Sequence, residues 1–328
     1  MLIPIDKDLL FSRQDPADPR LGDIVKCGAL IDLAQSKQSK NPPVALMGYP
    51  DDSGIKLNGG RIGASLAPTR IRNFLYRMTP PAFLDLSQEN PDVFFPVFDL
   101  GDVDAGRTGT LGDRHDFARE TVRKVLKTGA RLITLGGGHD YGFPDAAAYC
   151  EQAIAKGQRP LVINYDAHLD VRPTDRGLTS GTPFYRLLEE FPEIDFIELG
   201  LQGQCNSRAH LRWVQDRGGL VSFEESRALE GLSLTGTLQR FLGEAALRRR
   251  SAFLSIDIDA FSSSVAPGAS QSWPTGFLPA DFFDSFSWCL NRLDVQSIGI
   301  YEVSPPLDID DRTSRLAALI AHRFMFQL

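Results

Sequence analysis

The chain has only four cysteines, Cys27, Cys150, Cys205 and Cys289, scattered without a CxxC pair. That argues against a disulfide scaffold or a cysteine-built zinc site, and for reduced, mostly buried thiols in a cytosolic protein. No apolar run approaches the roughly 18 residues that a bilayer-spanning helix needs. The opening residues Met1 to Asp8 lack a signal-peptide layout. The glycine-rich loop Asn58-Gly59-Gly60-Arg61-Ile62-Gly63-Ala64 matches neither GxGxxG nor GxxxxGK[ST], so nucleotide binding has little to rest on. GxSxG is also missing, which leaves a serine nucleophile at Ser180 poorly supported. Nor is there a strong charge of either sign: the net charge is -7, which argues against nucleic acid or an anionic membrane as main partner. The expectation is a soluble, cytoplasmic protein acting on a small molecule.

What the chain does have is length and alternation. Its 328 residues, 42% hydrophobic, can bury a large core as one α/β domain or two smaller ones. Residues 1–42 mix charges, prolines and a Gln/Ser/Lys patch and read as an N-terminal arm or helix pair. Eight apolar, β-prone runs follow: Val44–Gly48, Val93–Leu100, Leu132–Leu135, Leu161–Tyr165, Ile194–Leu199, Leu220–Phe223, Ala252–Ile258 and Ser297–Val303. Helix-like spacing falls between several of them. Ala67-Pro68-Thr69 opens a helix, and others are expected over His115–Lys127, Phe184–Glu190, Leu232–Arg248 and Thr313–Phe326. The arginines Arg248, Arg249 and Arg250 suit a helix C-terminus. With no linker or repeat, one domain over 43–328 is the better reading. Strands alternating with helices imply a parallel sheet covered on both faces.

Chemistry gathers at the ends of these runs. Asp166, His168 and Asp170 follow the fourth, and in an extended segment they would line one side of the chain. Asp257 and Asp259 close the seventh, where a carboxylate inside so apolar a run is expensive unless compensated. His139 follows Gly136-Gly137-Gly138, whose backbone can turn tightly and pass close to a neighbour. Glu302 ends the eighth. In parallel sheets ligands sit at the C-terminal strand ends, so four segments deliver five carboxylates and two imidazoles to one rim. Such oxygen and nitrogen donors suit a divalent cation such as Mn2+. Six of the groups suffice for two cations sharing carboxylates, without which like charges would repel. Two such ions can hold a hydroxide at neutral pH, and the reading is a binuclear metallohydrolase.

Gly-Gly-Gly-His139, Asp166-Ala-His168-Leu-Asp170, Ser255-Ile-Asp257-Ile-Asp259 and Tyr-Glu302-Val together resemble the arginase/agmatinase/formiminoglutamase (ureohydrolase) family. Matching motifs run from about Gly59 to Ala317, in the family's order. The resemblance implies a three-layer α/β/α fold and two Mn2+ ions per chain, other divalent metals being possible. It assigns one ion to His139, Asp166, Asp170 and Asp257, and the other to His168, Asp166, Asp257 and Asp259. It makes Asp170 the residue that hydrogen-bonds the hydroxide and passes its proton to the leaving nitrogen. Glu302 would pair with the cationic amidine or guanidine. Relatives commonly form homo-oligomers.

Departures from the arginase pattern point to a substrate. Ser180 stands where arginases and agmatinases have a histidine, and Arg172 where arginases have an asparagine. Ser-Gly-Thr-Pro-Phe, Gly-Gly-Gly-His, the Val265–Gly268 loop and Asn-Gly-Gly-Arg-Ile-Gly resemble formiminoglutamases. An arginine beside the metals suits a substrate carrying carboxylates. The chain departs from formiminoglutamases too, with Asp140-Tyr141 where they usually have a glutamate. The implied activity is hydrolysis of N-formimino-L-glutamate to L-glutamate and formamide, a step of histidine degradation. The alternatives are a ureohydrolase acting on a guanidino compound and a metal-binding, catalytically idle paralogue.

Overall fold

The computed structural model describes residues 2–35, 42–81, 96–104, 109–243 and 250–327. Its centre is a ten-stranded sheet in the order β1-β4-β3-β5-β10-β9-β6-β7-β8, with β2 also paired to β4. The strands are β1 (Leu2–Ile3), β2 (Lys26–Cys27), β3 (Val44–Gly48), β4 (Val97–Val103), β5 (Arg131–Leu135), β6 (Leu161–Tyr165), β7 (Asp195–Leu201), β8 (Leu220–Phe223), β9 (Ser251–Asp257) and β10 (Asp294–Tyr301). All pairings are parallel except that of β1 with β4. The two strands beyond the eight expected are β1 and β2, of two residues each. Neither is long enough to show a period in sequence. The second expected strand begins later than Val93, at Val97; residues 93–95 lie outside the described residues.

The central strands β3, β5, β6 and β9 are buried along their whole length. Alternate side chains therefore feed two separate cores. Leu46, Ile133, Ile163 and Leu254 face a core shared with the helices Ala67–Leu75, Leu234–Leu242, Pro279–Arg292 and Arg312–Phe326. Met47, Leu132, Val162 and Phe253 face the opposite core, against Leu111–Lys127, Gly142–Ala155 and Pro183–Glu190. Burial on both faces is what makes the strands read as continuous apolar runs. The result is the expected three-layer α/β/α arrangement.

The helix expected over Leu232–Arg248 is shorter. Ser233 caps it, accepting from the Gly236 N–H, and it runs from Leu234 to Leu242 before Gly243 turns at φ 65°. Arg248 and Arg249 lie outside the described residues; Arg250 pairs with Asp195 instead of serving a helix end. Cys150 and Cys289 are buried, whereas Cys27 is exposed and Cys205 half-buried, and all four are free thiols. No helix among the described residues is long and apolar enough to cross a membrane.

Candidate metal centre

Four adjacent strands, β5, β10, β9 and β6, present their C-terminal ends side by side and carry the candidate residues. His139 follows β5, Glu302 follows β10, Asp257 ends β9, and Asp166, His168 and Asp170 follow β6. Two groups result. Ligand-capable atoms of His139, Asp166, Asp170 and Asp257 lie within 4.8 Å of one another, as do those of Asp166, His168 and Asp259. Asp166 belongs to both groups. Asp257 falls in the first alone, although the resemblance assigned it to both ions.

The local geometry differs from a simple extension of β6. That strand stops at Tyr165, and Asp170 sits at φ 48°, in the left-handed region. The three side chains therefore converge through a turn, not along one strand face. Asp166 Oδ1 accepts the His168 N–H at 2.8 Å, and Asp257 Oδ1 accepts the Asp259 N–H at 2.8 Å. The Asp-x-His and Asp-x-Asp segments thus fold into the same turn. One oxygen of each aspartate closes the turn, leaving Oδ2 to face His139 Nδ1, at 3.0 Å from Asp166 and 3.1 Å from Asp257.

His139 is held from three sides. Its Nε2 meets Ser255 Oγ at 2.8 Å, its N–H donates to Glu302 Oε1 at 3.0 Å, and its ring stacks on Tyr301 with centroids 4.9 Å apart. The glycine run makes this possible: a Cβ on Gly137 would stand 1.8 Å from the Asp51 carbonyl oxygen, so only glycine lets the chain pass there. Glu302 adopts φ 63°. Left-handed conformations in non-glycine residues cost of order 1 kcal/mol or more and cluster at functional sites.

Burial dominates the electrostatics. It lifts Asp170 to about 6, helped by the charge of Asp166. It also raises Asp257, Asp259 and Glu302. Burial would raise Asp166 too, but contacts with His139 and His168 outweigh it and hold that carboxyl below its usual range. Burial alone would depress both histidines, yet the carboxylates around them raise both well above 6.5. A carboxylate cluster this dense needs cations beside it, a part that protonated imidazoles or divalent ions can fill. His139 Nδ1 and Asp259 Oδ1 are buried without a hydrogen-bond partner. Three carboxylate oxygens lie 3.0–3.1 Å from that Nδ1 without hydrogen-bond geometry. Donors aimed at a common point but not at one another fit divalent ions, and the oxygen-and-imidazole set suits Mn2+.

Beside the groups opens a cavity of about 300 Å³ lined by His168, Asp170, Asp257, Asp259 and Glu302, and also by Asn58, Arg172, Ser180 and His210. Arg172 is exposed, and its side chain passes over Gly181, where a Cβ would come within 2.7 Å of Arg172 Cδ. Ser180 Oγ accepts from Asn58 Nδ2 at 3.2 Å. The glycine-rich loop contributes Asn58, Gly59 and Gly60 to this lining, while Arg61 is spent on the carbonyls of Ala269 and Ser270.

A polar row one register step below the ligands escaped the sequence reading. Glu198, Asn164, Ser255, Gly299 and Thr134 are successive cross-strand partners. Asn164 Nδ2 stands 3.0 and 3.1 Å from the Glu198 oxygens and 3.3 Å from Asp166 Oδ2, all fully buried. At the row's other end Asp145 accepts from Thr134 and Tyr301 at 2.5 Å each, and from Tyr49. Glu198 carried a usable signal, a charge inside the apolar run Ile194–Leu199.

Fold and site together define a three-layer α/β protein with a buried His/carboxylate centre able to hold two metal ions. The chain belongs to the arginase family, whose sequence profile matches residues 42–327. Among its relatives is the formimidoylglutamase of Staphylococcus epidermidis, 30% identical over 95% of this chain and 94% of its own. That of Vibrio cholerae is also 30% identical, over 93% and 90%. Trypanosoma cruzi formiminoglutamase solved with Mn2+ superposes with a TM-score of 0.77 at 28% identity, over 94% of this chain and 98% of that one. Formimidoylglutamase from Bacillus subtilis gives 0.80 at 26% identity, over 97% and 94%.

Proposed function

We propose that the chain hydrolyses N-formimino-L-glutamate to L-glutamate and formamide with two Mn2+ ions bound at the strand ends. The observation that carries this reading is a single cavity lined by members of both His/Asp groups, by Glu302 and by Arg172. The relatives' names, and the Mn2+ in the T. cruzi protein, support the same substrate and metal. His139, Asp166, Asp170 and Asp257 would hold one ion; Asp166, His168 and Asp259, with Asp257 beside them, the other. The chemistry that such ions contribute when bound is ionisation of water near neutral pH and polarisation of the bond under attack.

The residues of the chain do the rest. Glu302 faces the cavity and takes the amidinium by a charge-assisted, two-point hydrogen bond, fixing the formimino carbon. Its tie to the His139 N–H sets the angle at which it does so. Asp170, at the cavity wall, accepts a proton from the attacking water and delivers it to the glutamate nitrogen as the C–N bond breaks. Formamide leaves with the water oxygen and the other nitrogen. Arg172 pairs with a substrate carboxylate, and Ser180 with Asn58 lines the same cavity. The division into an arm, 1–42, and a hydrolase domain, 43–328, belongs to the same proposal, supported by the two short strands of the arm joining β4.

The test is a substrate panel with Mn2+-loaded protein, scoring formamide, urea and ammonia separately. Formamide from N-formimino-L-glutamate is expected. Urea from a guanidino compound, with no formamide from any amidine, would overturn the reading.

A further inference from the structure

The charges lining the cavity do not match the proposed substrate by Arg172 alone. N-formimino-L-glutamate has one cationic amidine and two carboxylates. Among the described residues that line the cavity, Arg172 is the only arginine or lysine, against Asp170, Asp257, Asp259 and Glu302. The amidine is answered by Glu302 and one carboxylate by Arg172. A second anion entering this cavity needs a second cation.

His210 stands at that place. It is half-buried in the first turn of the helix Arg208–Gln215 and lines the cavity together with Arg172. Both residues, with Asn58, also line an adjoining cavity of about 430 Å³ whose lining includes Asp175 and Arg176, so the two spaces meet at these three side chains. No ion pair is found for Arg172 among the described residues. The other titratable groups sharing these spaces with His210 are Asp175 and Arg176 in the adjoining cavity, and His168, Cys205, Asp170, Asp257, Asp259 and Glu302 in the first. Burial, then the charge of Arg172, depresses His210 below 6.5, so the ring is neutral in the free protein at pH 7. An anion docked beside both side chains offsets the charge of Arg172 and favours the protonated imidazole against the cost of burial.

We propose that His210 and Arg172 form a dicarboxylate-recognition subsite in which His210 takes up a proton as the ligand docks. The subsite rests on the reading of the substrate given above. It makes the affinity for dicarboxylates fall as pH rises, because the proton is held only in the complex. A ligand with one carboxylate needs Arg172 alone and gains little from His210.

Calorimetric titration of the Mn2+-loaded protein with glutarate and with L-glutamate, in two buffers of different ionisation enthalpy at pH 7, reads the proton directly. Uptake of about half to one proton per ligand is expected in the wild type. In His210→Gln the uptake should vanish, with KM for formiminoglutamate raised about tenfold, the scale of a lost charge-assisted bond. His210→Lys, a permanent cation, should restore binding without uptake and flatten the pH dependence of KM. No uptake by the wild type, or equal uptake by His210→Gln, overturns the subsite. Formamide release without proton uptake removes this inference and leaves the proposed activity standing. Proton uptake on glutarate binding without any formamide release does the reverse.

Discussion

The backbone N–H of His139 donates to Glu302 Oε1 at 3.0 Å, so a metal-ligand candidate and a carboxylate that lines the cavity are fixed to each other across adjacent strands β5 and β10. Glu302 is outside both His/Asp groups, which separates its role from metal retention. Glu302→Gln keeps the oxygen that accepts from His139 and removes the charge that would meet the amidine. We expect formamide release to fall about 100- to 1000-fold, with two metal ions per chain retained by elemental analysis. Loss of metal in this variant would mean that Glu302 is a ligand.

Asp259 belongs to the second group only. In Asp259→Ala, one ion per chain should remain bound instead of two, and turnover should drop about a hundredfold or more. Turnover at the wild-type rate with one ion would contradict the two-ion site.

Glu198 steadies Asp166 through Asn164. Burial, then the charge of Asp166, raises Glu198 well above the usual range, which favours its neutral form, and glutamine is nearly the isostere of that form. Glu198→Ala is predicted to weaken Mn2+ binding about 10- to 100-fold by calorimetry, the scale seen for groups that orient metal ligands, while Glu198→Gln stays near wild type. Equal weakening in both variants would place the ionised carboxylate itself in the site.

The protonation of the centre gives a pH signature. His139 and His168 hold their protons more tightly folded than unfolded, so the stability they add is complete below about pH 6.5 and is lost as pH rises through their folded values. Asp170, raised to about 6, and the raised Asp257, Asp259 and Glu302 act in the same direction, their contribution being complete below about pH 4. Asp166 alone opposes them. Metal-free protein should therefore melt at a lower temperature at pH 8 than at pH 6. Mn2+ needs these groups deprotonated, so its stabilising effect should be larger at pH 8. Thermal melts with EDTA and with Mn2+ at both pH values check this; a larger Mn2+ gain at pH 6 would refute it.

Arg172 has no metal role in this account. Arg172→Leu should raise KM for formiminoglutamate about tenfold or more, and Arg172→Lys should recover only part of the loss, because the planar fork is missing. Steady-state formamide assays distinguish the two. Unchanged KM in Arg172→Leu would remove the arginine from substrate binding.

Much of this was legible in the sequence because a parallel sheet buried on both faces writes its strands as apolar runs. The bounds of β3, β6 and β8 match the runs expected at Val44, Leu161 and Leu220. The strand-end rule then located His139, Asp166, Asp257 and Glu302 without side-chain geometry. What stayed hidden depends on pairing between distant segments. Leu2–Ile3 and Lys26–Cys27 are strands only because β4 offers an edge. Glu198 is visible as a charge inside an apolar run, but its partner Asn164, 34 residues away, is found only when register sets the two side by side. The left-handed turns at Asp170 and Glu302 leave no pattern in the sequence, because aspartate visits that conformation only occasionally and glutamate more rarely still.

The most direct test is anomalous diffraction from crystals of the protein grown with Mn2+. Two manganese peaks are predicted on either side of Asp166, one among His139, Asp170 and Asp257, the other beside His168 and Asp259. A single peak, or manganese bound elsewhere while these side chains remain bare, would contradict the account.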